Sequence, residues 1–399
     1  MGIAVCQKLR QQESLQLGPG LATGWSGLAM LFEHADRCRP GEGWADEARD
    51  ALHRAAQSTA ADPNRLPPGL AAGWAGVGFA SNYLSRDGQR YRAWRRELGP
   101  RLERSCLEAA AKVVGGRGGY AFADFDQISG LVGVVAGFLG ADPPEALGSV
   151  TRALTEGTLR QPGRPPWGTP AALLPSSMVS DRYPLGVVNL GLAHGLAGVV
   201  AALALALRKG AAGADGELAL VVAADTLASA VEQHDGSPTL PHMLPLGKAC
   251  AHEGPGRSAW CYGPPGAARA LSLAGAVLRQ PDITRLANDL LVASVARPPH
   301  IAGLSTPTFC HGIAGVLQIA ARMAADTADT SVAALVPQLC AGLLSCFDPT
   351  SVLGFRALGP RGMQADVPGL LDGAAGIGLV LLSISHWPDP SWDRAFLLS

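Results

Sequence analysis

Charge is in short supply in this chain. Only 16% of its 399 residues are charged, where globular domains average roughly a quarter. With 32 basic and 33 acidic residues the formal net charge is −1, which gives no electrostatic reason to expect nucleic acid as a partner. Aromatic residues make up 6%, yet 48% of the chain is hydrophobic, so intrinsic disorder is excluded and a large buried fraction is expected. Eight cysteines are too few to staple a chain of this size with disulfides. The opening residues Met1–Arg10 lack a basic stretch followed by an apolar core, so no secretory signal is expected, and reduced thiols in the cytoplasm are the default expectation. Alternating β-branched or aromatic runs are sparse, which argues against a sheet protein.

One stretch has the length of a membrane span. Leu185–Leu207 carries no formal charge. It is rich in glycine and alanine, holds Asn189 and His194, and has no flanking aromatic belt, so it reads as two buried pieces within a globule and no transmembrane segment is expected.

Glycine, in contrast, is plentiful at 50 residues. A Gly-x-x-Gly doublet followed by an apolar run recurs seven times, opening at Gly24, Gly73, Gly130, Gly195, Gly263, Gly312 and Gly373. Doublets at this spacing also arise by chance in so glycine-rich a chain, so the weight rests on the apolar runs and on their repetition every 49 to 68 residues. Between the copies lie amphipathic stretches such as Ala45–Ser58 and Arg90–Val114. One apolar and one amphipathic helix per unit make an αα-hairpin. Seven hairpins with the apolar helices inside predict an all-α, double-layered α/α toroid, a closed repeat architecture that needs no capping units. Residues 1–399 then form a single toroid, with the Pro-rich stretch around 142–183 as a long loop or small insertion. Each doublet would open an inner helix and leave its first-turn N–H groups accessible, with the residues beside the glycines converging at one rim.

The unusual side chains sit beside those glycines. The fifth copy reads Trp260-Cys261-Tyr262-Gly263 and the sixth Cys310-His311-Gly312; His194 precedes Gly195, and Asp126 stands four residues before Gly130. Two cysteines and one histidine from neighbouring hairpins match a catalytic zinc site with three protein ligands and an open fourth position. Taken by spacing alone, the same residues also admit plainer readings. Buried free cysteines are commonly inert, as Cys6, Cys38, Cys106, Cys340 and Cys346 look; Cys250-x-His252 is a rival ligand pair; His194 can be a hydrogen-bonded core histidine and Asp126 an N-cap.

The set His194-Gly195-x-x-Gly198, Trp260-Cys261-Tyr262-Gly263-x-Pro265-Gly266, Cys310-His311-Gly312-x-x-Gly315 and Leu370-Leu371-Asp372-Gly373-x-x-Gly376 resembles the lanthionine synthetase C family, the lanthipeptide cyclases. The resemblance covers nearly the whole chain, without a fused dehydratase. It implies the seven-hairpin toroid, a zinc ion bound by Cys261, Cys310 and His311, and active-site roles for His194, Asp126, Arg257 and Tyr262. Two positions depart from the pattern: Asp372 stands where the family often has Glu, and Phe125 where Tyr is frequent. The implied activity is zinc-dependent closure of thioether rings, in which a cysteine thiolate of a dehydrated precursor peptide adds to a dehydroalanine or dehydrobutyrine made by a separate dehydratase. His194 would protonate the α-carbon, Asp126 take the thiol proton or orient His194, and Arg257 stabilise the enolate or sit in a rim salt bridge; Tyr262 can simply pack. The alternatives are a glutathione-binding or regulatory relative, and a zinc thiol prenyltransferase, which would favour six repeats and an aspartate ligand. A membrane-associated biosynthetic complex is compatible with the cyclase reading.

Overall fold

The computed structural model describes residues 1–399 except 13, 62–65, 117, 140–143, 161–164, 248–255, 299–301, 359–361 and 387–390. Seven apolar helices form an inner layer: α2 (Trp25–Cys38), α4 (Trp74–Leu84), α7 (Leu131–Phe138), α10 (Leu196–Arg208), α12 (Pro264–Leu278), α14 (Ile313–Thr327) and α16 (Ala374–Ser385). Each packs on the next and α16 packs back on α2, closing the ring. The outer layer is α3 (Trp44–Ala61), α5 (Arg92–Gly115), α8 (Pro144–Leu159), α11 (Gly216–Ser229), α13 (Pro281–Ala296) and α15 (Thr330–Ser345). The sequence pattern predicts seven sequential hairpins, and six are built that way among the described residues. The seventh outer position is taken by α1 (Gly2–Arg10), which packs on α16 and α2. Small residues permit that contact: a Cβ on Gly378 would lie 3.2 Å from Val5, and one on Gly2 would lie 2.8 Å from Leu382. Helices α6 (Phe122–Phe125) and α9 (Ser177–Arg182) are short. Among the described residues there are also three short antiparallel pairs: β1 (Val187–Asn189) with β4 (Met243–Pro245), β2 (Glu232–His234) with β3 (Ser237–Thr239), and β5 (Ala357–Leu358) with β6 (Gln364–Ala365).

The glycine doublets have a physical cause that repeats in every unit. A Cβ on the second glycine would lie 2.0–2.4 Å from the carbonyl oxygen six residues earlier, as at Gly76 with Leu70, Gly266 with Trp260 and Gly315 with Phe309. The entering loop folds tightly back over the helix start, and any side chain there would collide with backbone. The loop residue then packs onto the second glycine of a neighbouring unit. Leu21 meets Gly76, Leu192 meets Gly266, Trp260 meets Gly315, Phe309 meets Gly376, and Leu370 meets Gly27 to close the circle. First-turn N–H groups are not left accessible as the sequence suggests. Trp25 N donates to Gly18 O at 2.9 Å, Trp74 N to Pro67 O at 2.9 Å, Ile313 N to Thr306 O at 2.9 Å and Ala374 N to Val367 O at 2.8 Å. Loop carbonyls cap these helices instead of side chains.

The seven loops are themselves joined by a circular ladder of backbone hydrogen bonds. Ala22 N–H donates to Ala71 O (2.9 Å), Ala71 to Ile128 (3.0 Å), Gln127 to Ala193 (2.9 Å) and Ala193 to Cys261 (3.2 Å). Cys261 donates to Cys310 (3.4 Å), Cys310 to Leu371 (2.8 Å), and Leu371 back to Ala22 (3.1 Å). This ladder fixes the register of the rim, because a slip in one loop would break two bonds.

One further correction concerns the chain's middle. Within the Pro-rich stretch 142–183, Pro144–Leu159 is not loop: it is α8, the outer helix of the third hairpin, packed on α5, α7, α10 and α11. Pro144 starts the helix, where its missing N–H costs nothing. The apolar run Leu185–Leu207 divides into β1 and α10, and among the described residues no helix is long and apolar enough to cross a membrane. The segment Ser391–Leu398 enters the lumen, where Trp392 and Phe396 pack among Trp260 and Phe309. Asp393 accepts two hydrogen bonds from Arg322, each 2.7 Å, and one from Gln318 at 2.6 Å. A second buried chain links α2, α4, α16 and this segment: His34 Nδ1 meets Tyr83 Oη at 2.9 Å, His34 Nε2 meets Ser383 Oγ at 3.1 Å, and Trp392 Nε1 donates to Ser383 Oγ at 2.9 Å.

Candidate metal centre and its histidine partner

The ladder explains why the reactive side chains meet. Cys261 and Cys310 occupy the same place in adjacent loops, two residues before each doublet, and are directly hydrogen-bonded through their backbones. The next residue in each of the last four loops is His194, Tyr262, His311 and Asp372. One structural position, repeated around half of the rim, supplies most of the site.

Ligand atoms of Cys261, Cys310 and His311 all lie within 4.8 Å of one another, and this group could hold a metal ion. Tetrahedral zinc with Zn–S near 2.3 Å and Zn–N near 2.0–2.1 Å sets its ligand atoms about 3.5–3.8 Å apart. Cys310 Sγ and His311 Nε2 are 3.8 Å apart, and two soft thiolates with an imidazole suit that ion better than magnesium or calcium. On the other side of the imidazole, His311 Nδ1 faces Asp372 Oδ1 at 3.1 Å. A carboxylate on Nδ1 leaves Nε2 for the metal. Asp372 therefore has a clear geometric role in a place where the sequence motif gave it none.

Electrostatics separates these thiols from the others. Burial pushes Cys6 and Cys106 up to about 12, which leaves them protonated. Cys261 is as deeply buried, yet the Cys310 S–H donated to it and the nearby His311 hold its thiol well below the usual range. Cys310 is correspondingly pushed up, first by the Cys261 thiolate and then by burial. His311 is raised to about 10 by the Asp372 carboxylate and then by Cys261. The inner helices also point their N-termini at this rim, which favours negative charge there.

Beside this centre, His194 Nδ1 faces Asp126 Oδ2 at 2.7 Å. The other carboxylate oxygen, Asp126 Oδ1, accepts the N–H of Ser129 (2.7 Å) and of Gly130 (3.0 Å). Asp126 is thus a cap and an imidazole partner together, with both oxygens engaged. The His194 ring stacks on Tyr262 at 5.7 Å. Arg257 is exposed and its guanidinium makes no hydrogen bond or ion pair among the described residues, so the rim salt bridge is not formed; it lies near enough to Cys310 to favour that thiolate. Cys250 and His252, the rival pair, lie outside the described residues.

Sequence reasoning missed two residues of this region. Asn189 Nδ2 donates to Tyr262 Oη at 3.0 Å. His242 packs on Tyr262 at 5.4 Å and accepts the Arg257 N–H at 3.1 Å. His242 carried no signal, since it lies far from any doublet; Asn189 was visible only as a polar residue inside an apolar run.

A family model described as lanthionine synthetase C-like protein matches residues 16–397. The nisin biosynthesis protein NisC of Lactococcus lactis subsp. lactis is 30% identical over 152 residues, which is 36% of this chain and 35% of that protein, so the alignment spans about a third of the relative's length. A solved structure titled nisin cyclase superposes with a TM-score of 0.83 at 21% identity, covering 100% of this chain and 96% of the other. That likeness extends the helical toroid to the full length described here.

Proposed function

This chain belongs to the lanthionine synthetase C-like family, and from that premise we propose that it is a cyclase that closes (methyl)lanthionine rings in a dehydrated precursor peptide, with zinc bound by Cys261, Cys310 and His311. The observation that carries the reading is the meeting of two thiols and an imidazole, from adjacent loops of the ladder, beside an aspartate-held histidine. A separate dehydratase would supply the dehydroalanine or dehydrobutyrine residues. Zinc bound there would keep an incoming cysteine sulfur deprotonated and nucleophilic at neutral pH.

The chain's own residues then account for the rest. Asp126, with both oxygens occupied, orients His194 and does not itself collect the thiol proton. The Asp126 contact on Nδ1 leaves His194 Nε2 free to take the proton lost by the substrate S–H and to return it to the α-carbon. The sulfur–β-carbon bond forms as the carbon–carbon double bond becomes single, and the transferred proton completes an addition with no by-product. Arg257, whose guanidinium makes no hydrogen bond or ion pair among the described residues, is available to the enolate oxygen that develops.

The test is incubation of the zinc-loaded protein with a dehydrated precursor peptide. Free thiols should disappear at unchanged peptide mass, and Cys261→Ala or Cys310→Ala should lose metal and cyclisation together. A peptide that gains the mass of added glutathione would favour the glutathione-adding reading. Full cyclisation by metal-free protein would overturn the zinc assignment.

A further inference from the structure

We propose that Asn189 is a positioning residue that makes the Tyr262 hydroxyl a hydrogen-bond donor to the substrate carbonyl; this rests on the ring-closing reading above. The two ends of one amide set the direction of the hydrogen bonds here. Gly191 N–H lies 2.9 Å from Asn189 Oδ1, and a backbone N–H can only donate, so the oxygen end of the amide is fixed there. The nitrogen end must then face Tyr262 Oη, at 3.0 Å, and it can only donate. A phenol carries one hydrogen. Its oxygen already accepts from Asn189, and it has no second hydrogen-bond partner among the described residues, so its own hydrogen is left for a group from outside the chain.

The arrangement cannot readily reverse. Asn189 is buried at the end of β1, where it pairs with Met243 of β4. Its carbonyl oxygen sits 2.2 Å from where a Cβ on Gly195 would be, so the backbone is locked against the fourth doublet. The Tyr262 ring is held between His194 and His242, at 5.7 and 5.4 Å. Tyr262 directly follows Cys261, and its ring stacks on His194, the proposed proton carrier. The matching ligand is the amide carbonyl of the unsaturated residue, whose oxygen gains negative charge as sulfur adds to the β-carbon. A donor aimed at that oxygen binds the transition state more strongly than the ground state.

The test is a double-mutant cycle between Asn189→Asp and Tyr262→Phe. Aspartate keeps an acceptor for Gly191 N–H but cannot donate, and it would draw the phenol's hydrogen to itself. Asn189→Asp should lower kcat about 10²-fold, the usual cost of one oxyanion donor, with KM and zinc content unchanged. Tyr262→Phe should lose about as much, and the double variant should fall no further than Tyr262→Phe alone. Should Asn189→Asp fail to fold, Tyr262→Phe still decides, because a wild-type rate there removes the donor from the mechanism. A wild-type kcat for Asn189→Asp, or a double variant below both singles, would overturn the proposal. A wild-type protein that does not cyclise in the same assay would instead overturn the ring-closing reading.

Discussion

Polar groups are buried both in the lumen and at the rim, and the two regions use them differently. In the lumen, Asp393 is held by Arg322, Gln318 and Ser399, so its charge is answered within the chain. At the rim, Cys261, Cys310 and His311 meet each other, and Cys310 and His311 lower the Cys261 thiol while Cys261 raises Cys310. The lumen set fastens the segment Ser391–Leu398 into the ring, whereas the rim set gathers ligand atoms that could hold a metal ion. Thiols show the same contrast. Cys6 and Cys106 are surrounded by hydrocarbon and stay protonated, whereas Cys261 is equally buried but faces a second thiol and an imidazole. Burial alone does not make a site; unequal answering of buried charge does.

The contrast can be broken at its strongest point first. Asp393→Ala would remove the buried acceptor shared by Arg322, Gln318 and Ser399, which should cost about 3 kcal/mol, read by urea unfolding, while one metal ion per chain is still bound. Loss of metal with unchanged stability would mean that the two regions had been assigned the wrong way round.

Metal uptake sharpens the comparison on the rim side. At neutral pH without metal, His311 is protonated (raised to about 10) and the Cys310 thiol is too, whereas ligands must bind deprotonated. Uptake should therefore release about two protons, and affinity should rise with pH, by about 100-fold per unit between roughly pH 6 and 8. Calorimetry in buffers of different ionisation enthalpy measures the proton count, and a pH-independent affinity would contradict it.

The smallest effect is expected one residue out from the ligands. Asp372→Ala should weaken metal binding about 10–100-fold, the usual cost of losing a ligand's supporting carboxylate, without lowering the unfolding midpoint of the metal-free protein. Competition with a chelator reads the affinity; an unchanged value would reduce Asp372 to a surface contact.

Much of the ring was legible because its cause is local. A second doublet glycine is required where a carbonyl six residues earlier occupies the Cβ position, and the apolar run that follows is an inner helix in all seven units. Cys261, Cys310 and His311 were legible for the same reason, since they sit at a fixed offset from those glycines. Asn189 and His242 were not, because they reach the site from β1 and from the chain beside β4, which have no fixed distance from a doublet. Nor was α1, which completes the seventh pair from the opposite end of the sequence, or α8, which lies in a Pro-rich stretch that reads as loop although α5, α7, α10 and α11 pack on it.

Periodicity and glycine spacing, both short-range quantities, were enough to dictate an all-helical ring and to nominate its reactive cysteines and histidines. Only the folded chain could decide that Cys261 and Cys310 become neighbours across one backbone hydrogen bond, that Asp372 backs His311, and that Ser391–Leu398 returns to fill the lumen. Those contacts join residues dozens to hundreds of positions apart. They arise from closing the ladder into a circle, which no window along the sequence contains.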